Sequence, residues 1–534
     1  MFYYFFMFLS ALFYLVLDSN ECYFIDYSLL TLEFDMSVSM TVDFVSAVFM
    51  STVLVVVSVV FMYSFIYMQS SIAYKGFMGL MIGFSGSMLL LASSSGMFWM
   101  MLGWDGLGLF SFCLILFNNN WSSAKSGLLT FLFNRLGDMF LLSSLWFFMG
   151  KLTLVYTEKI SSMVLLLFFI GAASKSAQFP FSLWLPEAMA APTPVSSLVH
   201  SSTLVTAGVY VMIRFSDMVL VNPVQGVLVL MSTVSLVLGA IGAFTEMDFK
   251  KIVAYSTMSH ISFMVFLISN SQFYPALAHM SMHAFFKSML FMASGMVIYC
   301  ASGSQDLRVL FVSDSKSKFF IAFPGLCMVG LPFLSGGMSK EMVISVLPLP
   351  FMSGFLLTMI VLAATCSMAC LMSAMTHTSN AWNVLLPSEE SDSFSSVFFI
   401  ASCWNALVHL SFYWKMVLIS VNESSFMLKS TKALILSLML LSSVALYSAS
   451  QKILAPKSLS LMFKSALMTL PLASSCAKTK ITGALASVKA QESVSDWVLF
   501  KLVSLPSAES KLFFESSVCV IKVLLSLAFF MLAA

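Results

Sequence analysis

The stretch Gly171-Ala172-Ala173-Ser174-Lys175-Ser176-Ala177-Gln178-Phe179-Pro180 closes an apolar run that begins near Ser162, and Ala191-Pro192-Thr193-Pro194-Val195 interrupts the next one just before His200. Both runs have the length and composition of membrane crossings, yet one holds a lysine and both contain helix breakers. A cation at the centre of a bilayer costs about 2.5 to 3.5 kcal/mol even on the lenient insertion scale, so Lys175 is a functional-site candidate by default. Broken helices are tolerated at that depth only where protein or a hydrated cavity surrounds them.

Working outward, the whole chain has this character. Of its 534 residues, 60% are hydrophobic and only 9% charged. Counting about 20 apolar residues per crossing gives roughly fifteen spans. They fall near 1–17, 44–68, 73–94, 97–117, 124–149, 162–182, 188–214, 226–244, 249–269, 275–301, 318–346, 352–376, 394–418, 431–449 and 516–534. The reading is an all-α polytopic membrane protein. A net charge of +2, with no run of basic residues, points to no nucleic-acid partner. Nine cysteines without C-x-x-C spacing, Cys366 and Cys370 being the nearest pair, read as small buried apolar residues. The opening run, Met1 to Leu17, lacks a basic flank and a cleavage pattern, so it is expected to be a retained span.

Two stretches depart from the pattern. Tyr27 to Asp43 partly alternates apolar with polar residues and is expected to form a small hairpin on the membrane surface. Gln451 to Lys511 is too polar to span and too apolar to be a free linker. As a helix its sixty-one residues would reach roughly 90 Å and would have to lie along the membrane or along partners. Pro456, Pro471 and Pro506 leave an irregular surface segment as the other reading.

Several ionisable residues stand inside the spans. Asp105, in Gly103-Trp104-Asp105-Gly106, is either a cap on a broken helix or a buried partner for a lysine, with Lys175 the leading candidate. Arg135 and Asp138 lie three residues apart, neighbours on one helix face, and can simply neutralise each other. His279, His283 and Lys287 follow at i, i+4 and i+8, a single stripe that reads as a proton relay. A metal site is the weaker reading, since no nearby carboxylate or thiolate completes a ligand set. Lys340 follows Gly330-Leu331-Pro332 and Gly336-Gly337 much as Lys175 adjoins Pro180, and paired interrupted spans point to a transporter built of internal repeats. Asp248, Lys250 and Lys251 open a span and read as interfacial anchors. No phosphate loop, dinucleotide fingerprint, nucleophile elbow or cluster-binding cysteine set is present in the sequence, so redox chemistry belongs to another chain.

Taken together, Ser174-Lys175-Ser176-Ala177-Gln178-Phe179-Pro180, Trp184 to His200, Thr206-Ala207-Gly208-Val209-Tyr210, Asn134 to Asp138, Asp248 to Thr257, His283 to Phe291 and Pro332-Phe333 with Ser339-Lys340 resemble the signature of the NADH dehydrogenase subunit 5 family. These motifs cover roughly residues 97 to 345. The family is the distal antiporter-like membrane subunit of respiratory complex I.

The resemblance implies a proton-translocating core, here 44–430, of two inverted five-helix repeats with broken helices. An N-terminal helix and hairpin (1–43) would precede it. A transmembrane helix (431–450), a lateral amphipathic helix (451–511) and an anchor (512–534) would follow. It implies a modulating ion pair of Asp105 with Lys175, flanked by Arg135 and Asp138. His200, His279, His283 and Lys287 would line a hydrated axis, with Lys340 near the exit.

The chain itself is expected to hold no cofactor, with NADH, FMN, iron–sulfur clusters and ubiquinone in partner subunits. Expected partners are the other membrane-arm subunits of complex I, including neighbouring antiporter-like ones, and lipids. The implied location is the mitochondrial inner membrane, with the chain organelle-encoded, which suits 42 methionines and 53 phenylalanines. Asp105 stands where the family usually has glutamate, which shortens its reach by roughly 1.5 Å and leaves backbone or water to close the gap to Lys175. Glu341 replaces an aspartate, and the first family helix is expected to be missing. A stand-alone cation/proton antiporter and a structural subunit with an impaired channel are the competing readings.

Overall fold

In the computed structural model, residues 23–28 and 37–307 are described, apart from 70, 72, 95, 153–161, 222 and 302, together with 315–330, 334–337, 340 and 397. The spans expected at 1–17, 352–376, 431–449 and 516–534, all but one residue of that at 394–418, and the lateral segment lie outside these residues.

A bilayer offers no hydrogen bonds to the backbone, so apolar segments close their own ladders as helices. Ten follow one another here: α1 Phe44–Tyr67, α2 Tyr74–Ser93, α3 Met97–Leu116, α4 Trp121–Leu152, α5 Ser162–Lys175, α6 Thr193–Arg214, α7 Val224–Thr245, α8 Phe249–Ser269, α9 Phe273–Cys300 and α10 Ser315–Val329. Among the described residues eight helices are long and apolar enough to cross a membrane, and α5 and the Phe319–Met328 part of α10 are shorter apolar helices. The protein is therefore a multi-pass membrane protein.

Burial separates inner helices from outer ones. Helix α1 is buried on every side from Ser46 to Phe61, and so is α9 from Ala276 to Ile298. A helix apolar all round belongs inside a bundle. Helices α3 and α4 instead leave Leu102, Leu109, Leu132, Met139 and Leu142 exposed, the face such a helix turns to lipid or a neighbour. The hydroxyls buried among these apolar residues are satisfied locally. Ser51, Ser58 and Ser64 of α1 each donate to the carbonyl three residues back, at 2.8, 2.6 and 2.9 Å.

The hairpin expected within Tyr27 to Asp43 is present but begins earlier. Strand β1 (Tyr23–Ser28) pairs antiparallel with β2 (Ser37–Val42), with Tyr23 opposite Val42 and Ser28 opposite Ser37. Asp43 and Thr41 at its base are held by Arg214, the last residue of α6, through an Asp43 ion pair of 2.8 Å and a hydrogen bond to the Thr41 hydroxyl.

The decisive departure from continuous crossings lies between α5 and α6. The span expected over 162–182 ends as a helix at Lys175, where Ala177 adopts φ 51° and the chain proceeds through short turns over Phe181–Leu183, Trp184–Glu187 and Ala188–Ala190. Gln178 secures this break: its Nε2 donates to the Ser176 carbonyl at 3.1 Å and its Oε1 accepts from Ser235 of α7 at 2.5 Å. Pro192 and Pro194 then open α6, which runs as a π-helix over Ser196–Thr203 before regaining α geometry at Leu204. Pro194 offers no N–H, which suits it to a first turn, where that donor would be unsatisfied anyway.

Candidate functional site

Two buried clusters of ionisable side chains stand in the described bundle. The first gathers at the C-terminal end of α5. Lys175 is wholly buried there, at the end of the helix whose partial negative charge favours a cation. Its ammonium donates to the backbone carbonyl of Trp104 on α3 and lies 4.0 Å from the centre of the same indole ring. A charge-assisted hydrogen bond contributes about 1.5 to 3 kcal/mol and a desolvated cation–π contact about 2 kcal/mol. Together they offset the insertion cost of the charge.

The indole continues the network. Trp104 Nε1 donates to Asp138 Oδ1 at 2.8 Å, and Arg135 Nη1 lies 3.2 Å from both Asp138 Oδ2 and Asp105 Oδ1. The order is thus Lys175, Trp104, Asp138, Arg135, Asp105, two carboxylates against two cations when the lysine is charged.

The Asp105–Lys175 ion pair implied by the resemblance is corrected here. Asp105 is engaged by Arg135, and among the described residues no carboxylate lies within ion-pair distance of Lys175. Trp104 and Asp105 are successive residues, so their side chains leave α3 about 100° apart. The tryptophan turns inward, fully buried, while the aspartate side chain remains 45% exposed beside Arg135. Arg135 and Asp138 do meet, as their spacing predicts.

Close packing of α4 on α5 brings this cluster together. Gly137 lies so near α5 that a Cβ there would stand 1.7 Å from Ser174 Oγ, and one at Gly171 would stand 2.5 Å from Leu141 Cγ. Replacing Trp104 by Phe keeps the ring face and removes the N–H donor; replacing it by Leu removes both. Stability of the folded protein is expected to fall in the order Trp, Phe, Leu, by about 1 kcal/mol at each step, as read from the denaturation midpoint. Equal stability of the Phe and Leu variants would remove the ring face from this account.

The second cluster lies between α8 and α9. His279, His283 and Lys287 share one face of α9 as expected, all fully buried. Lys287 Nζ donates to Ser256 Oγ at 2.5 Å and to Met328 Sδ at 3.0 Å, while Lys340 Nζ donates to the Met328 carbonyl at 2.9 Å. Met328 of α10 thereby touches both lysines. The Lys340 side chain passes close over Gly330, whose φ of 90° and missing Cβ leave it room.

Sequence reading missed His260. On α8 it faces the stripe, with Nδ1 3.1 Å from His279 Nε2 and its ring centre 5.6 Å from that of His283. A usable signal existed, because Ser256 and His260 are four residues apart and form a matching stripe on the adjacent helix.

His200 stands apart from both clusters, on the π-helical part of α6, with its ring 6.1 Å from Trp184. Both nitrogens of His200 and of His283 are buried, and none of them is hydrogen-bonded by a protein group among the described residues. Polar atoms in that state suit bridging by internal water. Lys250 corrects another expectation: it is 3% exposed and donates to the Ala191 carbonyl at 3.1 Å rather than anchoring an interface. Lys251 does pair with Asp248, at 3.0 Å. Among the described residues no group of three or more His, Cys, Asp or Glu is arranged to hold a metal ion.

Comparison with known proteins follows the same lines. Residues 94–382 match the family described as NADH:quinone oxidoreductase/Mrp antiporter, transmembrane. The chain is 40% identical over 364 residues to NADH-ubiquinone oxidoreductase chain 5 of Anopheles arabiensis, covering 65% of this chain and 94% of that one. It is also 40% identical to the protein of the same name from Anopheles gambiae, where the alignment spans 62% of the relative's length. Among solved structures, a chain of the Mrp complex from Dietzia sp. DQ12-45-1b superposes with a TM-score of 0.68 at 23% identity, covering 94% of this chain and 60% of that one. A chain of the archaeal membrane-bound sulfane sulfur reductase gives 0.66 at 17% identity, covering 83% and 91%. At these identities the structural likeness speaks for the fold.

Proposed function

The chain belongs to the NADH-ubiquinone oxidoreductase chain 5 family, and on that footing we propose that it is the antiporter-like, proton-translocating membrane subunit of a respiratory NADH:ubiquinone oxidoreductase. It works within a multi-subunit membrane arm, beside neighbouring antiporter-like subunits, in the mitochondrial inner membrane. NADH, FMN, iron–sulfur clusters and ubiquinone are held by partner subunits, and this chain moves protons.

One observation carries the reading: Lys175 is wholly buried and held by a neutral acceptor, with no carboxylate within ion-pair distance among the described residues. Lys175 donates to the Trp104 carbonyl, Lys287 to Ser256 and Met328, and Lys340 to the Met328 carbonyl. A lysine locked to a carboxylate leaves an uncompensated buried anion when it loses its proton, at a cost of several kcal/mol. A neutral amine still donates a hydrogen bond to a carbonyl, so Lys175 can gain and lose a proton without stranding the Trp104 carbonyl.

In the proposed cycle Lys175 stores a proton, and its readiness to release it is set through Trp104 by Asp138 and the Arg135–Asp105 pair. The released proton passes by way of His279 and His283 to Lys287. Met328 touches both Lys287, through its sulfur, and Lys340, through its carbonyl, and so links the two along the route. His200, between the broken segment and the bundle interior, serves the same route through water.

The test begins with native electrophoresis of membranes carrying the tagged chain, followed by an NADH-oxidation stain and by proton-uptake measurement on the recovered complex. The chain is expected in the NADH-oxidising band, with proton uptake driven by NADH and quinone. Recovery instead in a smaller assembly that exchanges Na⁺ or K⁺ for protons without NADH would assign it to stand-alone antiport.

A further inference from the structure

We propose that His260 is a proton-carrying member of the relay, which makes the α8–α9 site a cross-helix histidine network rather than a single stripe along α9. The proposal rests on the proton-translocation reading above and adds a residue to it.

Four observations converge on His260. It is 6% exposed, inside a helix whose every residue from Ile252 to Ser269 is buried. Its Nδ1 lies 3.1 Å from His279 Nε2, and the two rings stack with centres 5.4 Å apart and planes 21° from parallel. Its ring centre also lies 5.6 Å from His283, closer than His279 and His283 come to each other at 6.5 Å. One turn earlier on the same face, Ser256 receives the ammonium of Lys287. His260 thus bridges the 6.5 Å between the His279 and His283 ring centres, at 5.4 and 5.6 Å from them.

The chemistry follows from the imidazole. Within the hydrogen bond one ring donates and the other accepts. A proton added at His260 Nε2 makes an imidazolium; its Nδ1 hydrogen crosses to His279 Nε2, and a proton leaves from His279 Nδ1. One proton enters, one departs, and no electron moves. Both rings end in the opposite tautomer, so the bond between them has reversed direction and is reset by ring rotation or by a proton returning the other way. His279, His283 and Lys287 face His260 from α9, Lys340 lies within electrostatic range beyond them, and Phe286 closes the side with its ring centre 5.5 Å away. The apolar flank of Phe286 and of Phe263, 5.3 Å from His279, restricts the proton to the imidazoles.

The decisive variant is His260→Gln in the assembled complex. Its amide keeps a hydrogen bond to His279 and cannot shuttle a proton between two ring nitrogens. Proton pumping is expected to fall about tenfold, less than the 10² to 10⁴ of a full acid–base group because His279 and His283 remain in place. Were His260 only a positioning group, the amide would serve in its stead, so wild-type pumping in His260→Gln overturns the proposal. If this variant does not assemble, His260→Asn, whose amide takes the place of Nδ1, is read in the same way. Lys287→Ala separates the two levels. Pumping lost there but intact in His260→Gln overturns the histidine branch alone, and pumping intact in both overturns the relay on which it rests.

Discussion

Replacing Lys175 by methionine is expected to lower proton pumping by the assembled complex about a hundredfold, the lower end of the range for a proton-transfer group, while the complex assembles normally. Methionine matches the length of the lysine stem and fills the same space between α3, α4 and α5. Its thioether packs against the Trp104 ring with a favourable contact of about 0.3 to 1.5 kcal/mol. The ammonium's insertion cost of about 2.5 to 3.5 kcal/mol disappears with the charge, against the loss of its hydrogen bond and cation–π contact. Stability is therefore expected to hold or rise while pumping collapses. A residue present for structure would move both quantities downward together, so the divergence is the diagnostic result. Undiminished pumping per NADH in Lys175→Met removes the proton-storing role, whatever the stability shows.

Gly137→Ala is expected to show the reverse pattern, loss of the assembled complex with no ionisable side chain itself replaced. The added Cβ would stand 1.7 Å from Ser174 Oγ and 2.6 Å from Ser174 Cβ, and no rotation of the serine hydroxyl relieves the second contact. Helices α4 and α5 must then separate, at a cost of about 1 to 3 kcal/mol for overpacking. The separation also draws Asp138 on α4 away from Lys175 on α5, because both residues adjoin the contact. Loss of most of the complex on native electrophoresis is the expected reading. Adding Ser174→Gly removes both clashing atoms and is expected to restore assembly, a coupling that neighbouring residues show and distant ones do not. Failure of that rescue would place the defect somewhere other than the α4–α5 contact.

Both predictions depend on the order of groups around Trp104, where sequence and structure diverge most. The letters Trp104-Asp105 invite pairing the charge with the charge, Asp105 with Lys175. One residue of helical rotation decides otherwise, sending the aspartate to Arg135 and the indole to the lysine. The tryptophan supplies three functions from one residue: a carbonyl acceptor, a ring face for the cation and an N–H for Asp138. Nothing in a list of titratable residues would single it out, because it is not titratable. The impaired-channel reading rested on the reach of Asp105 to Lys175, whereas in the structure Asp105 pairs with Arg135 and Lys175 meets Trp104.

His260 shows a different limit. The stripe His279, His283, Lys287 is legible because one helix imposes one period, and helical spacing puts the three on a common face. The partner stripe of Ser256 and His260 has the same period but belongs to another helix. Whether two such faces meet depends on how α8 rotates about its axis, and an apolar helix buried on all sides carries no amphipathic pattern to report that rotation. Lys250 was misread for the same reason: a lysine one residue inside a span looks interfacial until the neighbouring Ala191 carbonyl is known to cover it.

What the sequence by itself determined is the membrane-spanning helical class, the breaks at Pro180 and Pro192–Pro194, the hairpin before the first helix and the family. These depend on length, hydropathy and local backbone chemistry, which act within a segment and in a solvent that leaves the backbone few choices. What only the tertiary structure decided is which groups meet the buried cations: Trp104 meets Lys175, Ser256 and Met328 meet Lys287, and Met328 also meets Lys340. In the apolar interior a misplaced charge costs far more than a misplaced side chain. These partners are therefore fixed by how the helices pack, through contacts such as Gly137 on Ser174, and not by any spacing along the chain.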